Sequence, residues 1–265
     1  MVEFAHILIV GNGSLALQIA QSLAGEIAKL SCASFCESPF SLFSTWCKKN
    51  AIPYQNFYDK NALKAFLQTL HKETLIISAN NYYVFPQEII KQPQIKIINY
   101  HNSLLPAHRG LNAQMWSIFE QDSLSGITWH CVNAKIDCGE IIIQKSIVLD
   151  SDETYLSLTQ KQLALAFEAF SEICPALLHW NLTTSLQKSS DSVLHKKADL
   201  PNGGYLNLNW SFEKKFAFLR SMDCGKSAVL PKPKVVINGK EYEILNYHKN
   251  LQSEFGFDLT LGETQ

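Results

Sequence analysis

Short, wholly apolar runs alternate with stretches of helical periodicity over the first hundred residues, and this alternation limits the fold more than any other feature. His6–Val10 (HILIV), Leu30–Phe35, Thr74–Ser78 (TLIIS) and Ile95–Asn99 (IKIIN) are strand-length and read as strands buried on both faces. After the first of them, Gly11-Asn12-Gly13-Ser14 turns into a predicted helix over Leu15–Leu30, where Leu15, Ile19, Leu23 and Ile27 recur every four residues. Helices are also predicted over Ser41–Asn50 and Lys60–Leu70, with a short one starting at Pro86–Ile90. Strands separated by helices pack as a mainly parallel sheet with helices on both faces, an α/β architecture.

The pattern changes after Asn99. Gly126–Val132 and Glu140–Leu149 are β-rich runs with no helix between them, and Thr154–Leu178 is a long helix. Ser151 or Asp152 is its expected N-cap, with Glu153 in the first turn. Thr183–Asp199 is rich in Ser and Lys and reads as linker. Beyond Pro201–Gly204 comes a helix over Phe212–Met222, then Lys234–Leu245 broken by an Asn238–Gly239 hairpin turn. The expected division is a catalytic domain over 1–182, a linker over 183–204 and a small β-rich domain over 205–265.

Composition excludes several classes. The chain of 265 residues has a formal net charge of −1, too little to draw it to nucleic acid or acidic membranes. No apolar run approaches the roughly 18–20 residues of a membrane span. The seven cysteines are scattered with no Cys-x-x-Cys pair, so reduced thiols in a cytoplasmic protein are expected, and no metal site.

The chemistry-bearing stretch runs from Ile97 to Ile143. Asn99 and His101 stand two residues apart at a strand's end, so in extended chain both side chains point the same way. Ligands of open α/β sheets gather at the carboxyl ends of strands. Ser103–Pro106 takes the chain out of the sheet, and Arg109–Gly110 turns it toward a helix opened by Asn112. Singly, each residue has a plain reading: Asn99 as a strand cap, His101 as a bonded loop histidine, Asp137 as part of an Asp137-Cys138-Gly139 turn. The glycine turn at Gly11–Ser14 is either a tight strand-to-helix connection or an anion site at a helix N-terminus.

In combination the motifs resemble the formyltransferase family. They are Asn99-x-His101-x-Ser103-Leu-Leu-Pro106, Arg109–Gly110, Gly126-x-Thr128-x-His130 and Asp137-x-Gly139-Glu-Ile141. The resemblance covers residues 1 to about 180 and implies a Rossmann-like sheet with 10-formyltetrahydrofolate as formyl donor. It implies that Asn99 and His101 donate to the formyl oxygen while Asp137 orients His101 and helps remove the amine's proton. It places folate against Asn80, Tyr82, Tyr83, Val84, Phe85 and Ile89, with Val132 and Ile136 in the opposite wall. Core packing is an equally good reading for Tyr82, Tyr83 and Phe85.

Substrate contacts are expected at Gly11, Asn12, Gly13, Ser14, Ser103 and Arg109. The first four resemble the phosphate-holding turn of glycinamide ribonucleotide formyltransferase, with Leu15 in place of that enzyme's Asn. Leu208–Arg220 resembles the helix opening the small domain of transfer-RNA and sugar formyltransferases. Asn112, Trp116 and Trp129 make the wording most similar to formyltransferase domains at the N-terminus of nonribosomal peptide synthetases. The acceptor expected from this is a small-molecule or carrier-bound amine: an amino sugar, or an aminoacyl group on a carrier protein. The tail looks like an incomplete barrel, which implies the N-terminal part of a longer protein. A hydrolase of the same folate, or a silent docking domain, are the alternative readings.

Overall fold

The computed structural model describes residues 3–188, 193–253 and 255–263. The chain forms two compact units. The first comprises Met1–Arg109, Gly126–Ser146 and Gln162–Ser192; the second comprises Gly110–Ser125, Ile147–Lys161 and Val193–Gln265. Among the described residues no helix is long and apolar enough to cross a membrane.

The elements of the first half are β1 (His6–Gly11), α1 (Gly13–Ser22), β2 (Leu30–Phe35), α2 (Leu42–Lys49), β3 (Tyr54–Phe57), α3 (Lys60–Gln68), β4 (Thr74–Ala79), α4 (Gln87–Ile90) and β5 (Ile95–His101). There follow a two-residue strand β6 (Arg109–Gly110), α5 (Ala113–Phe119), β7 (Leu124–Cys131), β8 (Ile141–Val148) and α6 (Tyr155–Leu177). The main sheet runs β3-β2-β1-β4-β5-β7-β8, its first five strands parallel and β7 antiparallel to β5. The order reverses between β1 and β4, where α/β folds open a crevice at the strands' carboxyl ends.

Residues alternate between two cores, one on each side of the sheet. Ile7, Ile9, Leu75, Ile77, Ile98 and Tyr100 join Trp129 and Phe170 in one, while Leu8, Val10, Ala33, Ile76, Ile95 and Ile97 build the other. This two-sided burial is why the parallel strands carry no polar alternation. Trp129 is wholly buried and its indole N–H donates to the Ala166 carbonyl at 2.9 Å.

Some local expectations shift. The predicted Leu15–Leu30 helix stops at Ser22 and passes into 3-10 turns over Ala24–Lys29. Gly25 disfavours a continuous helix by about 1 kcal/mol relative to Ala. α6 is not capped by Ser151 or Asp152: Thr154 and Ser157 exchange N–H-to-hydroxyl bonds of 2.9 and 3.1 Å as a capping box. Asn112 precedes α5 in a left-handed conformation (φ 58°) with no side-chain cap bond.

The second unit holds α5, α7 (Phe212–Ser221) and a sheet in the order β10-β11-β12-β13. Its strands are β10 (Tyr205–Leu206), β11 (Lys234–Ile237), β12 (Lys240–Lys249) and β13 (Phe257–Glu263), preceded by β9 (Leu194–His195). Asn238 (φ 52°) and Gly239 (φ 78°) make the expected hairpin turn between β11 and β12. Met115, Tyr155, Leu206, Phe218, Val235 and Phe257 fill this unit's core. The stretch expected as linker is partly built into structure: Ser185 exchanges backbone bonds with Ile141, and the His195 carbonyl accepts from the Leu111 N–H at 3.0 Å. Residues 189–192 of it lie outside the described residues.

Candidate active site

Strand pairing assembles the site. β5 and β7 run antiparallel with Asn99 opposite His130 and His101 opposite Thr128. Residues directly opposite share a face, and those two apart along a strand do too, so the four polar side chains form one patch. The intervening Ile98, Tyr100 and Trp129 turn to the other face and into the core. His101 and His130 are buried and Asn99 is half-buried.

Asp137 joins the patch from the loop after β7, in a left-handed conformation (φ 52°). Its carboxylate oxygens lie 3.6 Å from His101 Nδ1 and 3.5 Å from His130 Nε2. The catalytic set expected from sequence therefore converges. Burial pushes the His101 ring below its ordinary range, toward the neutral form. Attraction from Asp137 and the hydrogen bond to His108 offset this only in part. Asp137 Oδ2 thus stands 3.6 Å from Nδ1 of a ring that burial holds toward the neutral form.

Thr128, buried completely, braces the loop that follows β5. Its hydroxyl donates to the Ser103 carbonyl at 2.6 Å and accepts from the Leu105 N–H at 3.1 Å and the Gln144 amide at 2.9 Å. One proton and two lone pairs are all that a hydroxyl has, and all are used. Ser103 is itself buried, with its hydroxyl donating to the Ala107 carbonyl at 2.6 Å, so it shapes the loop rather than facing a substrate. Arg109 lies on the other turn of the site, its guanidinium donating to Cys138 Sγ at 2.7 Å. Gln187 holds the same turn, donating to the carbonyls of Asp137 at 2.9 Å and Gly139 at 2.8 Å.

The loop after β4 leaves the sheet beside this patch, since Ser78 pairs in register with Asn99. Extended chain alternates its side chains: Tyr83 and Phe85 are buried and join Ile89 in the core, whereas Tyr82 and Val84 are exposed. Of the residues expected against folate, Tyr82, Val84 and Ile136 offer exposed side chains, while Asn80 and Val132 are half-buried. At the other crevice, Gly11 is buried so tightly that a Cβ would lie 2.3 Å from the Ala79 carbonyl oxygen. The Gly13 N–H, first of α1, donates to the Glu37 carboxylate at 2.9 Å, and Asn12 donates to the Phe35 carbonyl at 3.0 Å. The anion expected at this helix start is thus supplied by Glu37, and Ser14 stands exposed next to it.

The residues that sequence reasoning did not assign a role are His130, Thr128, Gln144 and Gln187. The first two carried a signal: Gly126, Thr128 and His130 alternate along one face of β7. A cavity of about 350 Å³ in the second unit is lined by Ile118, Phe212, Phe216, Arg220 and Lys249 and contains none of the expected site residues.

Residues 39–174, over half of the chain and all of this polar patch, match the family described as formyl transferase. The chain belongs to the formyltransferase family. A GDP-perosamine N-formyltransferase of Brucella melitensis is 28% identical over 148 residues, 56% of this chain and 56% of that protein. The chain spans about half the length of the curated relatives it matches. A sugar N-formyltransferase from a Shewanella species has the same fold, with a TM-score of 0.73 at 21% identity over 90% of this chain and 96% of that one. So does an N-formyltransferase of Helicobacter canadensis solved with folinic acid and dTDP-3-aminofucose, with a TM-score of 0.72 at 15% identity over 99% of each chain.

Proposed function

We propose that this formyltransferase moves a formyl group from 10-formyltetrahydrofolate to a primary amine, an amino sugar being the favoured acceptor. The convergence of Asn99, His101 and Asp137 on one face of the β5–β7 pair carries the reading. The donor's flat ring has a matching surface in the exposed Tyr82 and Val84, on a loop that leaves the sheet beside Asn99. When bound, the donor supplies the electrophilic formyl carbon. Asn99 then offers an amide N–H to the formyl oxygen as negative charge develops there. His101 offers the Nε2–H that it now donates to the His108 carbonyl at 2.9 Å. Asp137 accepts the proton that the amine sheds as its lone pair forms the C–N bond, and returns it to the departing folate nitrogen. No net proton is gained or lost.

An amino-sugar acceptor agrees with the names of the perosamine and sugar N-formyltransferases among the similar proteins, and a net charge of −1 disfavours the polyanionic acceptor of the methionyl-tRNA formyltransferases also among them. The test incubates the chain with 10-formyltetrahydrofolate and a panel of nucleotide-linked amino sugars and aminoacyl thioesters, read by formyl mass gain. Formylation of an amino sugar supports the proposal; formylation of aminoacyl thioesters alone moves the acceptor to a peptide assembly line. Release of tetrahydrofolate with no formylated amine would make the chain a hydrolase, and folate binding without turnover a docking domain.

A further inference from the structure

The surroundings of His130 favour one arrangement of its hydrogens. Nδ1 is 2.9 Å from the Cys131 carbonyl oxygen, which can only accept, so Nδ1 carries the proton. A neutral ring with its hydrogen on Nδ1 presents the Nε2 lone pair, here toward the Asn99 amide nitrogen at 3.2 Å. His101 follows the same logic, its Nε2–H donating to the His108 carbonyl and its Nδ1 lone pair facing Asp137. Asp137 lies between the two rings, one carboxylate oxygen 3.6 Å from His101 Nδ1 and the other 3.5 Å from His130 Nε2. A proton arriving on Asp137 has a base waiting on either side. The two bases differ in their other partner, because only His130 holds a catalytic amide on the nitrogen that would take the proton.

We propose that His130 is a positioning residue that aims the Asn99 amide and takes up the amine's proton from Asp137; this rests on the formyl-transfer reading. As the C–N bond forms, the amine's N–H bond breaks and the proton passes to Asp137 Oδ1. From there it moves to His130 Nε2, whose lone pair forms the new N–H bond. Asn99 loses its acceptor at that moment, and its N–H turns to the oxygen where charge has just appeared. When the folate nitrogen departs, the proton returns through Asp137 to it, and Asn99 recovers its bond to Nε2. Atoms and charge balance over the cycle, and the amide donor is engaged in step with the charge it stabilises.

The first arm reads hydrogen positions without turnover. Ring ¹⁵N–¹H correlation spectra of the resting protein are expected to show His130 as the Nδ1–H tautomer and His101 as the Nε2–H tautomer. An Nε2–H tautomer at His130 would overturn the proposal even if formyl transfer is found. The second arm compares two variants for folate KM and kcat. In His130→Gln the amide oxygen can still accept from Asn99 but holds no proton. It is expected to keep KM within about threefold while kcat falls at least tenfold, since proton-transfer groups contribute roughly 10²–10⁴-fold. His130→Ala also loses the anchor of Asn99 and is expected to fall further. Wild-type kcat in the Gln variant would remove the proton role. Equal kcat in Gln and Ala would remove the aiming role. Absence of transfer by the wild-type chain, with the expected tautomers, would instead sink the formyl-transfer reading.

Discussion

Gly139→Ala is the substitution whose consequence the structure specifies most closely. A Cβ at this position would lie 1.6 Å from the Cys131 carbonyl oxygen and 2.7 Å from its carbon, both backbone atoms that no rotamer change can move. Restoring ordinary contact requires the chain to give by roughly 1.5–2 Å. The displaced parts are the two that place the chemistry: the Asp137–Gly139 turn, clamped by Gln187, and the carbonyl that holds the His130 Nδ1–H. Overpacking costs about 1–3 kcal/mol, and at this size each kcal/mol lowers Tm by roughly 2–4 °C. A misplacement of about 1 Å at reacting groups costs on the order of a hundredfold in rate. Turnover should thus fall at least that far while the variant remains folded, measured by formyl transfer beside a thermal melt. Gly25→Ala is the control, since no atom lies within 4 Å of its added methyl, and it should keep turnover while changing stability by no more than about 1 kcal/mol. Wild-type turnover and Tm in Gly139→Ala would refute this account of the turn and with it the placement of Asp137.

Three further outcomes follow from the same geometry. His101→Ala should lower turnover by about 10²–10³-fold, and Asp137→Asn comparably, with folate binding retained in a fluorescence titration. Thr128→Val removes three hydrogen bonds at a wholly buried site and should cost about 2–3 kcal/mol in urea unfolding. Burial lowers the ring pKa of both His101 and His6, with Lys72 adding to the effect at His6. The unfolded chain then binds protons that the folded one refuses, so stability should fall as pH drops below about 6.5 and be insensitive to these rings above it. Melts of His6→Gln and His101→Gln should show a shallower slope below pH 6.5; an unchanged slope in both would show that neither ring is held neutral.

Legibility in the sequence followed how locally each feature is determined. The four central parallel strands were plain because both faces of each are buried and their apolar runs are unbroken. β3 was not, because Tyr54–Phe57 is an edge strand of half-exposed residues with no run to mark it. Asn99 and His101 showed a shared direction through spacing alone. Asp137 showed only a turn locally and entered through the family resemblance, and Gln187 showed nothing, since a carboxylate brought in by a left-handed turn and a glutamine reaching it from 50 residues away are tertiary facts. The partner at the Gly11–Ser14 turn was hidden on the same ground: Glu37 lies 24 residues from the Gly13 N–H that it holds.

The polar patch and the core beneath it are two consequences of one register. Tyr100 pairs with Trp129 across β5 and β7, and their rings, 5.8 Å apart, rest with Phe170 in the interior. Because strand side chains alternate strictly, this apolar pairing forces Asn99, His101, Thr128 and His130 to the opposite face. A one-residue slip of either strand would bring buried polar groups against Trp129 and expose its large ring, a change of several kcal/mol. The alignment of the polar patch is therefore guarded by the apolar residues of the opposite face. Trp129, one of three residues behind the resemblance to synthetase-borne domains, has a packing role: it holds the register on which Asn99 and His130 meet.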